Sequence, residues 1–184
     1  MLDDSSTDAS AAFVTTAART VLADCEAALN DLAGSDRSNW RGRWVTVVAL
    51  LRAVGHVLDK VDGAATPALR RAVDEEWRKL NQSKPEPAIF WSFIDDERNV
   101  VVKEYRFRGA HAWGVGVTSL TAAVLKTGET VTVTAMPPGD LQIHVFDEGP
   151  FAGRQHHDVA DEALRWWRSY LDGVDALVPP AMPD

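Results

Sequence analysis

The sequence predicts a mainly helical α+β fold: a four-helix bundle, then a small antiparallel sheet, then a C-terminal helix. Apolar residues recur at three- and four-residue spacing through four successive stretches of the first 109 residues, which is the period of a helix with one buried face. Between Trp113 and Phe146 the period changes to two, the signature of half-buried strands. A chain of 184 residues is long enough to bury one core without a disulfide or metal staple. A single domain over 10–176 is therefore expected, divided into bundle (10–109), sheet (110–147), and loop with last helix (148–176). Residues 1–9 and 177–184 carry no apolar periodicity and are expected to be disordered.

Val14, Ala18, Val21, Leu22, Cys25, Ala28, Leu29 and Leu32 form the first stripe, closed by the turn Gly34-Ser35-Asp36. Trp44, Val47, Val48, Leu51, Gly55 and Leu58 form the second, closed by Gly63, and Gly55 leaves room for another helix to approach. Thr66-Pro67 reads as an N-cap followed by proline at the first helical position, where its missing N–H costs nothing. Leu69, Val73, Trp77 and Leu80 make the third stripe. After the proline-bearing loop Asn81–Pro87, a fourth helix is expected from Ala88 to Gly109, carrying Phe90, Phe93, Ile94, Val101 and Tyr105. Strands follow around Trp113/Val115/Val117, Thr130–Thr134 and Leu141/Ile143/Val145, separated by Thr127-Gly128 and Pro137-Pro138-Gly139. The run Leu120–Lys126 fits strand or helical turn. The last helix begins near Asp158 and carries Val159, Ala163, Trp166, Trp167, Tyr170 and Leu171.

The net charge of −8 argues against a protein that coats nucleic acid through general basicity, because that affinity comes from Lys and Arg neutralising phosphates. Met1–Ser6 lacks the basic start and apolar run of a secretory signal, so a cytoplasmic location is expected. No apolar stretch approaches the length that spans a bilayer, and no membrane association is expected. Cys25 is the only cysteine and sits in an apolar stripe, which fits packing better than chemistry. His156-His157 lacks further ligands nearby, no Glu-x-x-His spacing occurs, and neither metal nor cofactor is expected. Gly114-Val115-Gly116 lacks the third glycine of a dinucleotide fingerprint, with Ser119 in its place.

The string Asp95-Asp96-Glu97-Arg98-Asn99-Val100-Val101-Val102-Lys103-Glu104-Tyr105 holds the candidate chemistry. On a regular helix Arg98 shares a face with Ile94, Val101, Val102 and Tyr105, so its guanidinium emerges from an apolar stripe and needs a partner, with Glu97 beside it. His56 is the histidine within the bundle region, with Arg52 one turn before and Asp59 nearly one turn after it, and it is placed to meet Glu97 or Arg98.

Arg98-Asn99, followed by Lys103 and Tyr105 on a late helix of a bundle, resembles the HEPN superfamily over residues 11–109. Its members are small, often dimeric helical bundles, many of them metal-independent ribonucleases of toxin–antitoxin and phage-defence systems. Their motif pairs an Arg and a following polar residue with a His four to six positions on, sometimes with a Tyr two beyond it. The resemblance implies that Arg98 stabilises phosphorane charge, while Lys103 stands where the family places its His. An ordinary lysine pKa near 10.4 suits proton transfer poorly. The expected function is a cytoplasmic, homodimeric protein of RNA-linked stress or defence, a weak or defective ribonuclease acting on or binding RNA or a nucleotide. Arg98, Asn99, Lys103, Tyr105 and His56 carry the site. The alternative is a non-catalytic protein-interaction module in which Arg98 and Glu97 form a structural network. A second motif match, Arg106 with His111, straddles Gly109 and is expected to leave the helix. The loop Gly149–Arg154 offers Phe151 and Arg154 to a protein partner, or else seats Phe151 in the seam between sheet and helix.

Overall fold

The computed structural model describes residues 13–33, 39–115, 119–123, 130–134 and 140–179. The segments 1–9, Gly34–Asp36, Thr127-Gly128, Pro137–Gly139, 180–184 and the junction at Gly116 lie outside them. Helices dominate: α1 (Thr16–Ala33), α2 (Trp40–Val57), a one-turn α3 (Gly63–Ala65), α4 (Pro67–Gln82), a short α5 (Asp96–Asn99) and α6 (His156–Ala176). Three π-helical stretches join them, at Leu58–Asp62, Ile89–Asp95 and Val100–Glu104.

The stripe of α1 is buried at Ala18, Leu22, Cys25 and Leu29, facing Trp44, Val47, Val48, Leu51 and Val54 of α2. No acidic residue stands in the first turn of α1 to satisfy its free N–H groups. Carboxylates from distant chain segments do so instead. Asp62 accepts from Ala17 N at 3.0 Å and Ala18 N at 2.8 Å, and Asp175 accepts from Val14 N, Thr15 N and Thr15 Oγ1. Asp62 is buried, so Asp62→Ala strands two helix-start donors and is expected to cost about 1–3 kcal/mol. Urea unfolding reads this as a lower midpoint at unchanged slope, and an unchanged midpoint would refute the capping role.

Gly63 does not close the second helix: the chain passes through the π turn Leu58–Asp62 and one further α turn before Thr66 breaks it. Thr66 Oγ1 accepts from Leu69 N at 3.1 Å with Pro67 at the first helical position, the cap that its sequence implies. Gly55 lies against Trp167 of α6, where an added Cβ would stand 3.0 Å from the indole. On α4, Leu69, Val73 and Leu80 are buried, but Trp77 is exposed and turns its ring toward Phe90 and Trp91.

The fourth helical segment departs most from the regular helix expected over 88–109. Only Asp96–Asn99 is α-helical; i→i+5 stretches on both sides shift the register, so residues three and four apart no longer overlay. The segment ends at Glu104, five residues before Gly109, because Tyr105 adopts a left-handed conformation (φ 49°). Phe90, Phe93, Ile94 and Val101 still reach the core. Val102 and Tyr105, placed on the same face by a regular period, are exposed.

The backbone beyond Gly109 pairs as two separate antiparallel ladders: β1 (Ala110–Val115) with β4 (Asp140–Val145), and β2 (Ser119–Ala123) with β3 (Thr130–Thr134). The last helix does not rest mainly on this region. Its Val159, Ala163, Leu164, Trp167, Leu171 and Val174 join the cluster formed by α1, α2, α4 and Ile89–Asp95, and it meets β4 near its start, where Val145 bridges Gln155. A helix with that much apolar surface is covered more completely among helices than on a two-stranded ladder.

Candidate functional site

Glu97 is the buried ionisable group of the fourth segment, with 1% of its surface exposed. The π stretches on either side turn Glu97 inward and Arg98 sideways. The Glu97 carboxylate faces the Trp44 indole and Arg108. Arg108 Nε lies 4.0 Å from Glu97 Oε2 and 3.7 Å from Glu148 Oε1, while Arg108 Nη1 binds Asp96 at 2.8 Å. Neither Glu97 Oε1 nor Trp44 Nε1 completes a well-formed hydrogen bond. Burial outweighs the attraction of Arg108 and the Trp44 N–H and pushes Glu97 up to about 7.

Around this group the aromatic rings are continuous. Trp44 meets Phe93, Phe146 and His156, and His156 stacks on Phe146 at 4.0 Å. His156, which precedes the helix start expected near Asp158, is the first residue of α6 and is buried. An added Cβ on Gly109 would stand 2.5 Å from its Cε1, so the close approach of the chain at Gly109 depends on glycine. His156 belongs to the packing, and His157 lies 3.9 Å from Asp158.

Arg98 is half-buried, and its Nη1 donates to Asn99 Oδ1 at 3.1 Å. His56 on α2 is largely exposed, and its pKa is lowered first by what desolvation it has and then by the positive charges of Arg52 and Arg98. Its imidazole is therefore neutral at pH 7 and able to accept a proton. Of the residues expected at one site, Arg98 and Asn99 are hydrogen-bonded, and His56 lies within electrostatic range of Arg98 without a direct contact to it. Lys103 and Tyr105 do not join them: both are exposed, and Tyr105 packs edge-on against Phe107 at 5.2 Å. Glu97 points away from His56, toward Trp44 and Arg108.

His56 also lines a cavity of about 380 Å³ between α2, α4 and α6. Its walls are Val73, Trp77, Phe90, Trp167 and Tyr170, and its rim carries Arg52, Lys60 and Arg70 with Asp59 and Asp74. The rim charges largely neutralise one another. Arg70 binds Asp59 at 2.7 Å and Asp74 at 2.6 Å, Lys60 binds Asp59, and Arg52 binds Asp95 at 3.1 Å. A mostly apolar cleft with a few polar groups is the usual form of a small-ligand site. The apolar spacing of α2 and α4 indicated their buried faces but not the gap between them.

Phe151 does not reach a partner. It is buried against Phe93 and Phe146, and the loop carrying it turns through left-handed Gly149 and Gly153. Arg154 is bound to Glu162 at 2.7 Å. Cys25 is buried with its thiol raised to about 12 by burial, which leaves it protonated and unreactive. Among the described residues no cluster of three His, Cys, Asp or Glu could hold a metal ion, and no helix is long and apolar enough to cross a membrane. Comparison with protein-family models, curated proteins and solved structures finds no match to this chain.

Proposed function

We propose that the protein is a HEPN-like helical-bundle protein of RNA-linked stress or defence, working as a cytoplasmic homodimer, with a weak or residual metal-independent ribonuclease activity. In this reading a small antiparallel sheet over 110–147 follows the helical bundle. The observation that supports the activity is that His56 on α2, its pKa lowered by desolvation and by the charges of Arg52 and Arg98, lies within electrostatic range of the Arg98 guanidinium. His56, not Lys103, takes the proton of the ribose 2′-hydroxyl as that oxygen bonds to phosphorus. The P–O5′ bond breaks, the 5′-oxygen takes a proton from water, a 2′,3′-cyclic phosphate is left, and Arg98 offsets the negative charge that develops on the non-bridging oxygens. Asn99 orients the guanidinium through its side-chain oxygen. Lys103 and Tyr105 are left outside the chemistry.

Cleavage of total RNA by the purified chain without added metal tests this. His56→Ala and Arg98→Ala are each expected to lower the rate by about a hundredfold or more, while Lys103→Ala retains it. Loss on Lys103→Ala with retention on His56→Ala would reverse the assignment, and absence of cleavage by the unmutated chain would end it. A second reading, a non-catalytic protein-interaction module, is favoured by the internal satisfaction of Arg98 by Asn99 and of Arg108 by Asp96 and Glu148. Partner capture unaffected by Arg98→Ala, in the absence of cleavage, would support it.

A further inference from the structure

A second cavity, of about 240 Å³, lies at the opposite end of α2, around Trp40, Arg41, Tyr105, Arg106, Phe107 and His144. His56 lies sixteen positions beyond Trp40 on α2, about 24 Å at 1.5 Å per residue, so this groove is distinct from the cavity lined by His56. We propose that it binds a small planar aromatic group carrying a phosphate. The inference does not rest on the ribonuclease reading.

The apolar half of the recognition comes from the exposed Tyr105 ring beside a packed aromatic wall. Trp40 stacks on Trp44 at 5.8 Å and on His144 at 3.6 Å and forms a packed wall of the groove. Tyr105 is 65% exposed, and its left-handed backbone, rare for a bulky residue, holds the phenol ring at the mouth of the groove. A large aromatic side chain left in water beside a packed ring wall is a platform on which a planar ligand stacks.

The charged half comes from two guanidinium groups. Arg41 is exposed, makes no ion pair among the described residues, and rests over the Phe107 ring at 5.5 Å. Arg106 has only loose, exposed carboxylate neighbours, Glu104 at 3.6 Å and Glu148 at 4.0 Å. The first turn of α2, which carries Trp40 and Arg41, holds no acidic residue, so no carboxylate there offsets the guanidinium charge. By contrast, the arginines of the larger cavity are each held by an aspartate at 3.1 Å or less. Two planar guanidiniums suit a phosphate, with its several acceptor oxygens. The volume lies below the roughly 300–1,000 Å³ of drug-sized sites, which fits one ring and its phosphate rather than an extended cofactor.

The chemistry is shared by nucleoside monophosphates and simple aryl phosphates. Calorimetric titration of the full chain with AMP, phenyl phosphate, adenosine and inorganic phosphate separates them. AMP or phenyl phosphate is expected to bind saturably and at least about tenfold more tightly than adenosine or inorganic phosphate alone. Tighter binding of AMP identifies a nucleotide, and equal or tighter binding of phenyl phosphate identifies a simple aryl phosphate. The exposed-site variants Tyr105→Ala and Arg41→Ala/Arg106→Ala are expected to fold normally and to weaken binding at least about tenfold. No saturable binding of either aromatic phosphate, or binding that survives both variants, overturns the proposal.

Discussion

Trp44→Ala is expected to lower the unfolding free energy by about 3–5 kcal/mol. Trp44 is completely buried, and its indole meets Trp40, Phe93, Phe146 and His156, rings drawn from four separate stretches of chain. Removing it deletes the contacts that join α2 to the fourth segment and to the start of α6, and rigid aromatic neighbours relax little into the space. Trp44→Phe keeps much of the ring volume and is expected to lose less than half as much. Urea unfolding of both variants measures the effect. A loss below about 1 kcal/mol for Trp44→Ala would show that the ring cluster is not the centre of the fold.

The second large effect is a pH dependence located at Glu97. An exposed Glu releases its proton near 4.5, while burial holds the folded carboxyl up to about 7. Between these values the folded chain keeps a proton that the unfolded chain has lost, so raising the pH favours unfolding. The penalty is absent below about 4.5, grows through the window and is complete above about 7. It amounts to something on the order of 3 kcal/mol. Glu97→Gln replaces the carboxyl by a neutral group of the same shape. It is expected to match the unmutated protein near pH 5 and to exceed it in stability near pH 8. Equal stabilities at both pH values would show that Arg108 compensates the buried charge fully.

The opposite fates of Glu97 and Arg98 mark where sequence reading gave way to packing. On a regular helix Arg98 belongs with Ile94 and Val101, and the apolar spacing of Phe90, Phe93 and Ile94 supports a helical segment there. The i→i+5 turns on either side of Asp96–Asn99 are invisible in that spacing, yet they decide which side chain enters the core. For the same reason Lys103 and Tyr105 left the site expected for them. His156 could not be read as buried, because nothing local distinguishes it from His157; its environment comes from Trp44, Phe146 and Gly109, all distant in sequence.

By itself, the sequence determined the main helical elements, the buried stripes of α1 and α2, the Thr66-Pro67 start of α4 and the packing role of Cys25, since each follows from periodicity or from bonds within a few residues. Tertiary structure alone decided the capping of α1 by Asp62 and Asp175, the burial of Glu97 and Phe151, and the two cavities at the ends of α2. Those depend on where separate helices come to rest against one another. The spacing of residues along one helix specifies a face, but not the groups that the opposing face will bring to it.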